Sequence, residues 1–193
     1  VEGWAGEGGA ELGTRREIPS TRDLYAVSRA LEDHHIDALL VIGGYSAYEG
    51  IYTMMTERDR YPAFRIPTVC IPASIDNNLP GSELSIGTDT ALNVIVEAMD
   101  KIKESGIASR RCFVVETMGR DCGYLALMSG IAAGAERIYT NEDGISLDDL
   151  ANDVHWLRES FAHGRRLFLA VRNENASHNY TTDFIARLLE EES

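Results

Sequence analysis

The sequence has few cysteines and no long apolar run, and each absence excludes a class of protein. Its cysteines are Cys70, Cys112 and Cys122, and their odd number and wide spacing argue against both a disulfide framework and a zinc site. A reducing cytoplasm is therefore the expected compartment. No stretch approaches about 18 apolar residues, so no membrane-spanning helix is predicted. The first residues lack a basic start followed by an apolar stretch, which argues against a secretory signal.

Basic residues are also scarce. The 193 residues include 31 acidic and 18 basic side chains, and the formal net charge is −13. A field of this sign repels nucleic acid and anionic membranes, so neither is an expected partner. An anionic ligand would need a local cluster of arginines. The length suits one domain or two small lobes, and because no methionine begins the chain we expect a piece of a longer chain.

Short apolar runs alternate with amphipathic stretches along the whole chain. This alternation predicts an α/β architecture with parallel sheets covered on both faces. Ser20 is the predicted N-cap of the first helix, Gly106 the predicted end of the second, and Ser146 with Asp149 predicts a capping box. The predicted strands are 36–44, 66–72, 111–119, 136–140 and 166–174, and the predicted helices are 20–35, 86–105, 122–134, 146–164 and 180–192.

Polar residues follow the predicted strands, where ligands of open α/β sheets collect. Asp76 follows the second strand and has two interpretations, as a base for a substrate hydroxyl or as an ordinary Asx-turn. Glu174 ends the fifth strand and could bind sugar hydroxyls or form a structural salt bridge with Arg172 or a neighbouring helix.

Two glycine-containing turns also follow strands. The Met118–Gly119–Arg120 turn could bind an anion through backbone N–H groups and the arginine, or could be a plain strand-to-helix turn. The Gly43–Gly44 pair resembles a phosphate loop only weakly, because Tyr45 follows it and no basic residue is near.

Longer motifs extend this interpretation. The segments IPASIDNNLPGSELSIGTDTALN, RRCFVVETMGRDCGYLALMSGIAAGAE and RNENASHNYTTDFI, with the opening VEGWAGEGGAELGTRREIP, together resemble the 6-phosphofructokinase family. The resemblance covers essentially the whole chain. It implies three-layer lobes with mostly parallel sheets flanked by helices, both incomplete here. Residues 1–87 would belong to a first lobe and residues 88–193 to a second lobe that carries the sugar-phosphate side.

The resemblance also implies a role. The catalytic units of this family carry a Gly-Gly-Asp-Gly-Ser loop that serves Mg-ATP, whereas this chain has Tyr45 at the position of the aspartate. Asn78 stands where those units have a second acidic residue, although Asp76 matches their proton-accepting aspartate. These differences favour the C-terminal, regulatory half of a long, duplicated 6-phosphofructokinase, whose usual loop has serine where Asp76 stands. The alternatives are a catalytic unit with Asp76 as base, and a non-enzymatic interaction module.

Site residues follow from the resemblance. Gly43 and Gly44 match a degenerate nucleotide loop, no metal ligand is carried over, and Arg111 matches an arginine that reaches across a subunit or half-to-half interface. Mg²⁺ and ATP would serve the full-length glycolytic enzyme, and this piece alone is expected to be inactive and to bind neither. The expected partners are fructose 6-phosphate or fructose 2,6-bisphosphate and the other half or subunits of an oligomer. The predicted sugar-phosphate contacts are Arg16, Ser74, Asp76, Asn77, Asn78, Arg111, Met118, Gly119, Arg120 and Glu174.

Overall fold

The chain folds into alternating helices and strands. The computed structural model describes residues 3, 6, 9–11 and 13–192, which group into two compact units, residues 1–71 and residues 72–193. The predicted lobe boundary between residues 87 and 88 stays a prediction. Within the described part of the chain, no helix is both long and apolar enough to cross a bilayer. The elements are α1 (Asp23–Asp33), β1 (Leu39–Gly43), α2 (Tyr45–Thr56), a short 3₁₀ helix (Pro62–Phe64), β2 (Thr68–Pro72), α3 (Thr88–Ser109), β3 (Arg111–Thr117), α4 (Tyr124–Ala133), β4 (Arg137–Tyr139), α5 (Leu147–Ala162), β5 (Leu167–Asn173) and α6 (Thr182–Glu192).

The first unit has a small sheet in which β1 pairs with β2. Its buried core consists of Leu24 from α1, Met54 from α2 and Phe64 from the 3₁₀ helix. Gly43, at the end of β1, allows α2 to pack closely, because a Cβ atom there would lie 2.6 Å from the Cβ of Ala47.

The second unit contains a three-stranded parallel sheet with the order β3-β5-β4. β5 lies in the centre, and all its residues after Leu167 are buried. The register pairs Arg111 with Leu167 and Thr117 with Asn173. The carboxyl ends of β3 and β5 therefore lie side by side, and the segments that follow them emerge at the same edge of the sheet.

Helices cover both faces of this sheet. Phe168 and Ala170 of β5 pack into a core with α5 and α6, whereas Leu169 and Val171 pack into a second core with α3 and α4. Successive side chains of a strand point to opposite faces, so one central strand supplies both cores. The predicted α/β class, with parallel strands between helical layers, is confirmed in this unit.

Two predicted helix ends were wrong. Ser20 does not cap α1, which begins at Asp23 after Arg22, because the Asp23 carboxylate instead accepts hydrogen bonds from the backbone N–H and the hydroxyl of Ser20. Gly106 does not end α3, which continues to Ser109. Gly106 is a packing residue: a Cβ atom there would lie 2.6 Å from Cδ1 of Leu167 and would overlap the neighbouring core.

The predicted capping box of α5 is confirmed. The hydroxyl of Ser146 accepts a hydrogen bond from the N–H of Asp149, and the Asp149 carboxylate accepts one from the N–H of Ser146. These reciprocal bonds satisfy N–H groups that the first turn leaves without helical partners.

A buried carboxylate joins α5 to β4. Asp153 is 3% exposed and accepts hydrogen bonds from the Arg137 guanidinium and the Tyr139 hydroxyl. Burial first, and then the bond to Asp153, raise the pKa of Tyr139 far above its usual value, so its hydroxyl stays a donor. The charge of Asp153 is thus compensated only while both partners are in place.

Removal of this carboxylate should destabilise the second unit. We expect Asp153→Ala to lower the free energy of unfolding by about 3 kcal/mol, because it leaves a partly buried guanidinium without its counter-charge. Asp148→Ala, at an exposed position of the same helix, is the matched control and should change it by less than about 0.5 kcal/mol. Thermal unfolding of the two variants, followed by circular dichroism, measures the difference. Equal midpoints would contradict this role of Asp153.

Candidate functional site

Three segments meet at the carboxyl edge of the sheet in the second unit. They are the loop 73–87 after β2, the turn 118–123 between β3 and α4, and the loop 174–181 after β5. The Sγ of Cys122 lies 3.6 Å from the carbonyl oxygen of Asn77, and Nε of Arg120 lies 3.8 Å from Oδ2 of Asp76. Glu174 contacts the same turn. The structure thus brings together Asp76, Arg120 and Glu174, which the sequence predicted as site residues.

Glu174 is anchored by two backbone N–H groups. Its Oε1 atom accepts hydrogen bonds from the backbone N–H of Gly119, at 3.1 Å, and from that of Arg120, at 2.8 Å. Its Oε2 atom accepts none from the residues that the structure describes, and the side chain is half-buried. The alternative of a salt bridge to Arg172 is wrong, because that guanidinium pairs with Glu116. A fixed carboxylate with one oxygen to spare suits a sugar hydroxyl.

The turn before α4 has a conformation that requires glycine. Gly119 has φ of +140°, and a Cβ atom there would lie 2.4 Å from the carbonyl oxygen of Cys122 and 2.8 Å from Nδ2 of Asn173. Arg120 also has a positive φ, 50°. Both backbone N–H groups consequently point to one spot, a geometry that binds anions. In this chain the carboxylate of Glu174 occupies that spot, so the backbone donors predicted for a ligand are used internally.

The loop after β2 is held largely by its own side chains. The hydroxyl of Ser74 accepts a hydrogen bond from the N–H of Asp76, and the amide of Asn77 binds the carbonyl of Glu83 and the N–H of Ser85. The turn interpretation therefore describes Ser74 and Asn77 well. The carboxylate of Asp76, 16% exposed, lies near Arg120 instead.

Asn78 differs from its neighbour. Its Oδ1 atom is buried and has no hydrogen-bond partner in the described part of the chain. A buried acceptor without a donor is costly, so such an atom is usually satisfied by water or a ligand. Of the two asparagines in this loop, Asn78 therefore has the capacity to bind a further donor.

The remaining predicted residues are more widely spread. Met118 is 51% exposed beside the turn. Arg111 begins β3 whereas Thr117 ends it, so Arg111 lies about 20 Å from the carboxyl edge, at about 3.3 Å per residue. The structure does not bring Arg111 to the cluster of Asp76, Arg120 and Glu174. Arg16, which is exposed, and Gly43 and Gly44 belong to the first unit.

The glycine pair does not fit a magnesium–nucleotide complex. Gly44 is the extended N-cap of α2, and the first turn of that helix contains no acidic side chain. Tyr45, 55% exposed, begins the helix where a carboxylate would be required. Among residues 3, 6, 9–11 and 13–192, no group of three or more histidine, cysteine or acidic side chains is arranged to hold a metal ion.

Sequence analysis missed one residue that shapes the site. Asn173, fully buried at the end of β5, donates from Nδ2 to the carbonyl of Cys122 at 3.1 Å and accepts from the N–H of Asn175 at 2.9 Å. It thereby ties the loop after β5 to the turn after β3. An amide at the last position of an otherwise apolar strand was the signal available for it.

Comparison with known proteins identifies the family of this chain. A family model described as phosphofructokinase matches residues 1–193. ATP-dependent 6-phosphofructokinase, platelet type, of Rattus norvegicus is 46% identical over 193 residues, which are 100% of this chain and 24% of the rat protein. ATP-dependent 6-phosphofructokinase of Dictyostelium discoideum is also 46% identical, over 100% of this chain and 23% of its own length.

Solved structures give the same result. The structure of Pichia pastoris phosphofructokinase in the T-state superimposes with a TM-score of 0.91 at 41% identity, over 96% of this chain and 21% of that one. Phosphofructokinase from Saccharomyces cerevisiae gives a TM-score of 0.91 at 39% identity, over 96% of this chain and 25% of that one. The chain spans about a quarter of the length of the curated relatives above. The chain belongs to the phosphofructokinase family.

Proposed function

We propose that this chain is part of the C-terminal, regulatory half of an ATP-dependent 6-phosphofructokinase, and that its carboxyl-edge cluster binds a sugar phosphate. The ligand would be fructose 6-phosphate or fructose 2,6-bisphosphate. The observation that carries the proposal is the convergence of Asp76, Arg120 and Glu174 in the second unit, in a chain whose glycine loop offers no carboxylate to a metal ion.

The cluster has complementary groups for both parts of such a ligand. Oε2 of Glu174 and the carboxylate of Asp76 can accept hydrogen bonds from sugar hydroxyls. The Arg120 guanidinium, whose side chain is 52% exposed, can bind a phosphate with two parallel hydrogen bonds. In a chain with a net charge of −13, a phosphate requires such a local cation.

The position of Arg111 supports an oligomeric arrangement. Because it lies at the opposite end of β3 from this cluster, it is available for a sugar-phosphate site of another subunit or half. The other half of the protein, rather than this segment, would then use ATP and Mg²⁺. The full-length protein would act in the cytoplasm.

A catalytic role is the second candidate, because one observation favours it. Asp76 retains a carboxylate next to the cluster, 3.8 Å from Nε of Arg120, where a base could take the proton of a sugar hydroxyl. The third possibility is an interaction module that binds no sugar phosphate at all.

Loss of the Glu174 charge should weaken the sugar-phosphate complex. Glu174→Gln keeps the side-chain shape and an oxygen for the N–H groups of Gly119 and Arg120, but it removes the charged acceptor for hydroxyls. We expect the dissociation constant of fructose 2,6-bisphosphate or fructose 6-phosphate to rise about 10- to 100-fold, as for loss of a charge-assisted hydrogen bond. Isothermal titration calorimetry on the full-length protein measures it.

Glu136→Gln is the matched control for this experiment. Glu136 is also largely buried and accepts a backbone N–H, that of Leu169, but it precedes the amino end of β4. Its substitution should leave both dissociation constants within about twofold. Unchanged binding in Glu174→Gln would disprove the assignment, and absence of sugar-phosphate binding by the wild-type half would favour the interaction module.

Substitution of Asp76 separates the regulatory from the catalytic role. In the full-length enzyme, we expect Asp76→Asn to raise the half-maximal activating concentration of fructose 2,6-bisphosphate about 10-fold, because a hydroxyl acceptor is lost. Asp89→Asn, at an exposed position of α3, is the control. A decrease in kcat of about 100-fold or more at saturating substrates would instead identify Asp76 as the base and contradict the regulatory proposal.

A further inference from the structure

β5 contains a buried arginine that the predicted site does not include. Arg172 is 2% exposed, and its neighbours along the strand are Val171 and Asn173, also buried. A charged group at such depth is costly unless it is paired and hydrogen-bonded. Its partners should therefore indicate its role.

The two terminal nitrogens of Arg172 face different partners. Nη1 donates to the Glu116 carboxylate and to the Thr182 hydroxyl, which join β3 and the start of α6. Nη2 donates to two backbone carbonyls of the loop after β5, that of Ser177 at 3.0 Å and that of Glu174 at 3.4 Å. The third nitrogen, Nε, is buried and has no partner among the described residues. The guanidinium therefore makes its hydrogen bonds through Nη1 and Nη2.

This arrangement constrains the backbone that carries Glu174. Asn173 joins the start of the loop to the carbonyl of Cys122. Nη2 of Arg172 donates to the carbonyls of Glu174 and Ser177 within the loop. The Glu174 carboxylate must reach the N–H groups of Gly119 and Arg120 from this backbone. Displacement of the loop by about 1 Å would lengthen both bonds beyond hydrogen-bond range.

We propose that Arg172 is a positioning residue of the sugar-phosphate site, which sets the Glu174 carboxylate against the Gly119–Arg120 turn. The proposal rests on the sugar-phosphate function proposed above. Arg172 does not touch the ligand in this scheme. It acts through Glu174, so its effect on the dissociation constant should vanish once the Glu174 carboxylate has been replaced.

Arg172→Lys is the informative substitution. Lysine keeps the positive charge beside Glu116 and deletes Nε, which has no partner within the described part of the chain. A compact ammonium group cannot span the two sets of partners that a planar guanidinium reaches. Arg137→Lys is the matched control, because Arg137 is a partly buried arginine of β4, in the same sheet, which pairs with Asp153 on α5.

Two measurements on the full-length protein test the proposal. Titration with fructose 2,6-bisphosphate should give a dissociation constant about 10-fold higher for Arg172→Lys, and less than about twofold higher when the same change is made in Glu174→Gln. Without ligand, amide hydrogen exchange in the peptide that contains Gly119 and Arg120 should become faster in Arg172→Lys. Arg137→Lys should reduce thermal stability but change neither quantity.

The outcomes separate this inference from the proposed function. If Glu174→Gln weakens binding while Arg172→Lys changes neither binding nor exchange, Arg172 has no positioning role. The inference would also be overturned if Arg172→Lys raised the dissociation constant equally in the wild-type and Glu174→Gln backgrounds, because the two residues would then act independently. If Glu174→Gln does not weaken binding, the proposed function fails, and the inference for binding fails with it.

Discussion

The geometry at the carboxyl edge of the second unit depends on one carboxylate that accepts two backbone N–H groups. Glu174 comes from the end of β5, yet its Oε1 atom accepts the N–H groups of Gly119 and Arg120 from the turn after β3. The left-handed backbone of that turn is strained for any residue other than glycine at position 119. The two hydrogen bonds offset this cost and hold two separate segments in one geometry.

Two asparagines near this carboxylate also restrain the backbone. Asn173 joins the loop after β5 to the turn after β3 by its hydrogen bond to Cys122. Asn77 holds the loop after β2 by hydrogen bonds to Glu83 and Ser85. A ligand would consequently meet side chains whose positions are already fixed, and little conformational entropy would be lost on binding. In a chain with a large negative charge, the Arg120 guanidinium also lies 3.8 Å from the Asp76 carboxylate and partly compensates its charge.

Local patterns in the sequence predicted the features that depend on local physics. The alternation of strands and helices, the capping box at Ser146 and the polar residues at strand ends were all recognisable, because each needs only a few neighbouring residues. The acceptor of the Gly119 N–H could not be recognised in this way, because Glu174 lies 55 positions away along the chain. The prediction that Gly106 ends a helix failed for a similar reason. Its sequence neighbours suggest a helix end, whereas its close approach to Leu167 and Phe113 explains why a glycine lies inside α3. The roles of the site residues in binding stay predictions.

The strand order has a consequence for how the chain acquires this structure. β5 is the last strand of its sheet along the sequence but the central one in space, with β3 and β4 on either side. β3 and β4 each pair with β5, so neither can pair within this sheet until residues 167–173 have been synthesised. During synthesis, β3 and β4 therefore have unpaired edges until β5 is made, and such edges are prone to aggregation. Pairing of β5 supplies residues to both cores and brings Glu174 to the turn after β3, so the carboxylate–turn contact can form only once β5 has joined the sheet.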